Sequence, residues 1–324
     1  MTLVIGTDEA GYGPNLGPLV VAASAWRVAA DPDHAEAVLD GALVAAARAA
    51  DPAAGATRPL WSDSKTIYRG GGRNATRGLA ALEAGVLTAI AMATGRMPDG
   101  WDALAAVLGI AADPAPPPEW PALTATPLPL ALDIPTCMPR TGRILESLAR
   151  AGVSLDRIAC RLVHPRHFNA LLDAGLNKSD ILSQVTLGLA ADLRRAVDAP
   201  AVIWCDRHGG RKHYAMLVSR HFECPLVSPI VETAERSAYH LPSARCRIEF
   251  SVGGEDRAPV ALASMTAKYV RELSMQAFNA FWSARAPGLA PTAGYPVDAA
   301  RWRHAAAAAV AAAGIHDDDL WRRA

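Results

Sequence analysis

The chain has 324 residues, of which 51% are hydrophobic and 20% charged, with 32 lysines and arginines against 32 aspartates and glutamates. This composition excludes a disordered chain, a fibrous repeat and a short disulfide-stapled scaffold. Zero net charge excludes a globally basic nucleic-acid coat and leaves a globular protein of one large or two ordinary domains.

Residues 2 to 8 have the apolar, β-branched character of a strand, and residues 18 to 28 of a second. The glycine- and proline-rich turn EAGYGPNLGP between them is short enough for an antiparallel pair. Residues 34 to 50 and about 75 to 94 carry helical patterns. From Pro98 to Pro139 proline recurs every second or third position in places, which predicts an irregular lobe, because proline removes backbone donors. Order returns with a strand over 157 to 165. A helix capped by Ser179 runs to Ala196, and a short apolar strand, 200 to 206, ends on Asp206. A long helix from about Pro259 to Trp282 and a last one from about Asp298 to Ala313, stopped by Gly314, complete the chain. Strands alternating with helices after an antiparallel pair indicate a mixed α/β sheet.

No run reaches the roughly 18 apolar residues of a membrane helix, and the N-terminus lacks a signal peptide's basic segment and cleavage site. The five cysteines form no CxxC pair, so buried free thiols in a reducing cytoplasm are expected.

The carboxylates carry the functional signal. Asp8 and Glu9 close the first strand, Asp206 closes another, and Asp256, beside Glu255, precedes the long helix. Adjacent strand residues point to opposite faces, so Asp8 and Glu9 share a site only if the strand ends there. Sites in open α/β sheets lie at the carboxyl ends of strands, where these acids can converge. An oxygen-only cluster suits magnesium or manganese, and two such ions about 4 Å apart support phosphodiester hydrolysis. A lone acid at a strand end is more often a solvated cap; several together make the two readings even.

The segment Gly6-Thr7-Asp8-Glu9-Ala10-Gly11-Tyr12-Gly13-Pro14, followed by Leu16-Gly17-Pro18-Leu19-Val20, resembles the opening motif of type 2 ribonucleases H (ribonucleases HII and HIII). Four more segments match in order: Ser62-Asp63-Ser64-Lys65; Asp206 after its apolar strand; Ala263-Ser264-Met265-Thr266-Ala267-Lys268 with Arg271-Glu272; and Ala293-Gly294-Tyr295-Pro296. Together they cover well under half of the chain. The resemblance implies a single ribonuclease H-like domain, a mixed sheet flanked by helices, with insertions at about 98–139 and 207–250. It implies cleavage of RNA in RNA–DNA hybrids or at ribonucleotides embedded in duplex DNA, with Mg2+ or Mn2+ in a two-metal site and 3′-hydroxyl and 5′-phosphate products. Asp8, Glu9, Asp206 and Asp256 would hold the metals, with Glu255 as the alternative fourth acid. Gly11 and Gly13 would approach the ribose, Ser64, Lys65, Ser264 and Lys268 would contact phosphates, and Tyr295 would stack on a sugar.

Three departures stand out. Tyr12 occupies the position between the two glycines where the family usually carries a basic residue or threonine. Glu272 stands where the family has aspartate, and, with the motif opening at Gly6, the N-terminal platform of ribonuclease HIII is expected to be absent. Beside the third acid, the glycines of Asp206-Arg207-His208-Gly209-Gly210-Arg211-Lys212 could form a phosphate-binding loop using Arg211 and Lys212. Trp101, Trp120, Trp282 and Trp302 are read as packing residues, and a monomer bound to nucleic acid, away from membranes, is expected. The competing readings are a catalytically weak relative that binds duplexes, a nuclease for double-stranded RNA, and a dinucleotide-binding unit. The last is disfavoured by Pro14 and Pro18 where its helix should begin.

Overall fold

The first strand, β1 (Thr2–Ala10), is buried along most of its length and lies in the interior of a seven-stranded sheet. The computed structural model describes residues 1–51, 60–62, 72–132 and 134–323. β1 pairs antiparallel with β2 (Leu19–Val28), in the register Thr2 opposite Val28 and Ala10 opposite Val20. On its other side it runs parallel to β4 (Ala201–Asp206). β3 (Val153–Val163) extends the sheet beyond β2. Beyond β4 come β7 (Cys246–Ser251), β6 (Arg236–Leu241) and β5 (Ser228–Glu232), giving the order β3-β2-β1-β4-β7-β6-β5.

Alternation along the central strands divides the core in two, because side-chain direction flips at each residue. Val4, Val20, Ala22, Trp26, Val202 and Trp204 face one layer of helices. These are α1 (Ala35–Ala50), α2 (Gly72–Thr94), α3 (Trp101–Leu108), α4 (Trp120–Thr124), α5 (Ile134–Arg150) and α9 (Ala258–Arg285). Leu3, Ile5, Val21, Ala23, Ile203 and Cys205 face the other. That layer holds α6 (Pro165–Asp173), α7 (Lys178–Arg195) and α8 (Ala215–His221). A sheet covered on both faces explains why β1 and β4 read as nearly continuous apolar runs. A third cluster joins Leu16, Met275, Phe278, Trp282 and Trp302, where α10 (Pro296–Ala312) and α11 (Asp317–Leu320) pack on the end of α9.

The mixed sheet flanked by helices is the architecture expected from the sequence, with three local differences. Segment 98–139 is more regular than its prolines predict: it holds α3, α4 and the start of α5, with Pro139 inside α5. Pro135 and Pro139 lie in the first two turns of α5, where few intrahelical bonds are forfeited. The cap of α7 is Asn177, not Ser179: its side chain accepts from the Asp180 amide while Asp180 accepts from the Asn177 amide. Segment 207–250, read from the resemblance as an insertion, contains α8, β5, β6 and most of β7.

All five cysteines are buried and free. Trp101, Trp282 and Trp302 are buried, and Trp120 packs edge-on against Trp101 and His164. No helix among the described residues is long and apolar enough to cross a membrane.

Glu83, on α2, ties the proline-rich segment to this frame. Its buried carboxylate accepts from the amides of Leu130, Ala131 and Leu132 at 2.7, 2.6 and 2.9 Å, and from the Tyr269 hydroxyl at 2.8 Å. Glu83→Gln conserves shape but turns an NH2 toward donors. It is expected to lower stability by about 2 kcal/mol, the scale for an unsatisfied buried donor, read as a lower urea midpoint at unchanged slope.

Candidate metal centre

Asp8 and Asp206 are brought together by strand pairing. In the parallel register of β1 and β4, Thr7 lies opposite Cys205, so the next residues on the two strands are the two aspartates. Glu9 joins them: ligand oxygens of Asp8, Glu9 and Asp206 all lie within 4.8 Å of one another. β1 does not end at Glu9, as the sequence argument required, but continues to Ala10 against β2. It is β4 that ends, at Asp206. With no strand on the β4 side of β1 past that point, the longer Glu9 side chain can turn toward the same space.

The surroundings of Asp8 define the electrostatics. It is 5% exposed, and its carboxyl is held well above the ordinary aspartate value, chiefly by burial, then by the charges of Glu9, Asp206 and Glu255. A hydrogen bond from Ser264, on the first turns of α9, opposes this. Asp8 also accepts from the Glu9 amide at 2.7 Å, and Asp206 accepts from the Gly254 amide at 3.3 Å.

Gly254 opens the single 3-10 turn Gly254–Asp256, which joins β7 to α9 and places the two candidate fourth acids differently. Glu255 is half-buried and its charge reaches Asp8; Asp256 is exposed and is not among the charges acting on Asp8. A buried carboxylate pushed toward protonation by its neighbours is what a bound hard cation would relieve, and an all-oxygen donor set fits magnesium or manganese.

The turn after β1 forms the rim of the site. Gly11 has φ +87°, a conformation open to glycine, and a Cβ there would meet the Arg271 side chain and the Pro18 carbonyl. Tyr295, half exposed, lies beside Gly13, where an added Cβ would meet its ring at 3.7 Å. Tyr12 is half-buried, and burial and Glu9 keep its hydroxyl protonated, against the opposing effect of Arg211. The Tyr12 hydroxyl reaches across to the loop after β4, 3.0 Å from where a Cβ on Gly209 would stand.

That loop is held by its own cations. Buried Arg207 donates to the carbonyls of Arg211, Ala234 and Thr233. Arg211 pairs with Asp180 and donates to Ser179, so its guanidinium is engaged on α7. Lys212 is exposed. His208 is buried, 3.0 Å from the Ser183 hydroxyl, and burial, aided by Arg211, pushes it down to about 3. Its ring packs edge-on against Tyr214 and Phe250. Exposed His213 pairs with Glu232.

Ser264 therefore meets the acids directly. Lys268, one turn further along α9, forms a 2.8 Å ion pair with Glu272. Ser64 and Lys65 lie outside the described residues. The chain separation of Asp180 from Arg211 hid their pairing from sequence reading, whereas the Asn177-x-x-Asp180 capping box was a readable signal.

No protein-family model matches the chain, and no curated protein matches its sequence. Solved structures similar to it include Bst-RNase HIII in complex with Mn2+, at 17% identity and TM-score 0.41. That match covers 99% of this chain and 66% of the other, so the chain spans about two thirds of that protein's length. RNase HII from Archaeoglobus fulgidus, in a complex with PCNA, is similar at 14% identity and TM-score 0.41, over 99% of this chain and 94% of that one. Ribonuclease H2 from Pyrococcus horikoshii is similar at 12% identity and TM-score 0.42, over 98% and 92%.

Proposed function

We propose that the chain is a divalent-metal-dependent endoribonuclease. It hydrolyses the RNA strand of RNA–DNA hybrids, or the phosphodiester beside a ribonucleotide embedded in duplex DNA, leaving 3′-hydroxyl and 5′-phosphate ends. The observation that carries this reading is the convergence of Asp8, Glu9 and Asp206 at the carboxyl ends of two parallel strands, inside a motif that resembles type 2 ribonucleases H.

Asp8, Glu9 and Asp206 hold the metals, with Glu255 as the fourth acid in place of Asp256, because Glu255 is the one whose charge Asp8 feels. Bound Mg2+ or Mn2+ would supply a nucleophilic water at neutral pH and stabilise charge on the leaving oxygen. The protein's own part is to position. Ser264 orients Asp8, the Gly254 amide orients Asp206, and the Gly11-Tyr12-Gly13 turn, Lys268 and Tyr295 seat the ribose and phosphates, the role the resemblance also implies for Ser64 and Lys65.

The test is to incubate the protein with labelled RNA–DNA hybrid, DNA with one embedded ribonucleotide, and double-stranded RNA, each with Mg2+ and with Mn2+, and to map the cuts. Cleavage of either of the first two, abolished by EDTA, is expected; cleavage of none of the three, or cleavage in EDTA, overturns the reading. In the same assay Glu255→Gln is expected to lower cleavage roughly 10- to 100-fold, the scale for perturbing a metal's surroundings. Asp256→Asn should stay within about two-fold of the parent, since a solvated charge away from Asp8 contributes little. The reverse ranking would assign the fourth acid to Asp256.

A further inference from the structure

Three of the four lysines, Lys65, Lys212 and Lys268, belong to segments already singled out; the fourth, Lys178, does not. It is the first residue of α7, and its ammonium lies over the Tyr12 ring, 4.7 Å from the centroid. Tyr12 is within electrostatic reach of Glu9, so the ring that carries the lysine belongs to the neighbourhood of the acidic cluster.

Lys178 is half-buried, yet no carboxylate among the described residues pairs with it. The nearest acid in sequence, Asp180, is taken by Arg211 and by the Asn177 amide. Behind the turn the field is positive. Buried Arg322 donates to the Pro14 carbonyl, stacks over Phe168 at 5.2 Å, and has an Nε with no hydrogen-bond partner. Burial, aided by Arg322, pulls the Lys178 ammonium below the ordinary lysine value. A cation held on an aromatic face, partly desolvated and backed by a second cation, lacks the counter-charge that such a position ordinarily requires.

We propose that Lys178, seated on Tyr12, binds a backbone phosphate of the nucleic-acid strand next to the one at the acidic cluster. The inference rests on the nuclease reading above and refines it: the phosphate contact on this side is Lys178, while Arg211, committed to Asp180 and Ser179, is a positioning residue that fixes the loop after β4. A lysine suits the role as a compact point charge able to follow a phosphate without bidentate geometry.

The test compares the parent with Lys178→Met, which keeps most of the stem and removes the charge, with Lys178→Gln as a second neutral variant and with Lys178→Arg. Steady-state cleavage of a labelled RNA–DNA hybrid in Mg2+ is measured across a salt series. Both neutral variants are expected to raise KM roughly ten-fold, the scale for losing a hydrogen bond to a charged group, with kcat at saturation unchanged. The slope of log(1/KM) against log salt should become shallower by about 0.9, one phosphate contact fewer, and Lys178→Arg should restore it. A parent that cleaves, with neutral variants matching its KM and slope, overturns the phosphate site and leaves the nuclease reading intact. A loss of kcat and melting temperature together, with slope unchanged, overturns it in favour of a purely structural lysine. A parent that neither binds nor cleaves any RNA-containing duplex overturns both.

Discussion

Asp8→Asn is expected to lower metal-dependent cleavage at least about a hundred-fold, while the metal-free variant melts above the parent at neutral pH. The two effects have one cause. Asp8 is buried, and Glu9, Asp206 and Glu255 add their charges, so in the metal-free fold its carboxyl binds a proton well above 3.8, the ordinary aspartate value. A group whose folded value is raised contributes stability that is complete below its unfolded value and is lost as pH rises through the folded one. Above that unfolded value the metal-free parent must either hold a proton the unfolded chain would release or carry an ionised carboxylate among like charges, and the neutral amide removes either penalty.

Metal reverses the comparison. An ion that binds only the folded state at a hundred times its Kd adds about 2.7 kcal/mol, so the parent gains stability in Mg2+ or Mn2+ and the variant gains little. Thermal melts from pH 4 to 8, with EDTA and with each metal, test this directly. A parent whose melting temperature ignores both ions, or a variant that keeps half the activity, would remove Asp8 from the site.

How much of this centre could be read in the sequence follows from which part of it is local. Asp8 and Asp206 were legible because each closes an apolar run of strand length, and parallel neighbours bring such ends side by side. Glu9 was legible through its motif but not through strand geometry, since what frees it is the end of β4, almost 200 residues away in the chain. The fourth acid was a choice between adjacent residues. A 3-10 turn decides which of Glu255 and Asp256 faces inward, and a turn that short leaves no hydrophobic period to read. Arg211 had the composition of a phosphate contact, and its commitment to Asp180 depends on how α7 docks. Lys178 carried no motif, and its significance lies wholly in having Tyr12 beneath it and no ion-pair partner among the described residues. For the fold, two-sided burial of the central strands was readable, while prolines hid α3 to α5 because they fall between helices or in early turns.

Gly6→Ala is expected to destabilise the protein by about 3 kcal/mol or more, the upper range for forcing an atom into a filled interior. Gly6 pairs with Ser24 on β2 and lies on the face of β1 crossed by α9. A Cβ there would overlap the backbone carbon of Pro259 and the backbone nitrogen of Val260, atoms with no rotamer to change. Nor can the helix end retreat freely, because the Pro259 carbonyl accepts from the Ser24 hydroxyl at 2.8 Å, and Ser24 in turn accepts from the Trp26 indole at 2.9 Å. The same contact sets the chemistry. The 3-10 turn that carries Glu255 leads directly into this end of α9, and Ser264, which holds Asp8, lies about one turn further along. Any displacement that admits the methyl group moves both relative to Asp8. Activity measured well below the melting temperature should therefore fall by more than the unfolded fraction accounts for, with metal needed at higher concentration. A Gly6→Ala protein with a urea midpoint close to the parent's and an unchanged metal requirement would show that β1 and α9 are not in the contact from which this site is built.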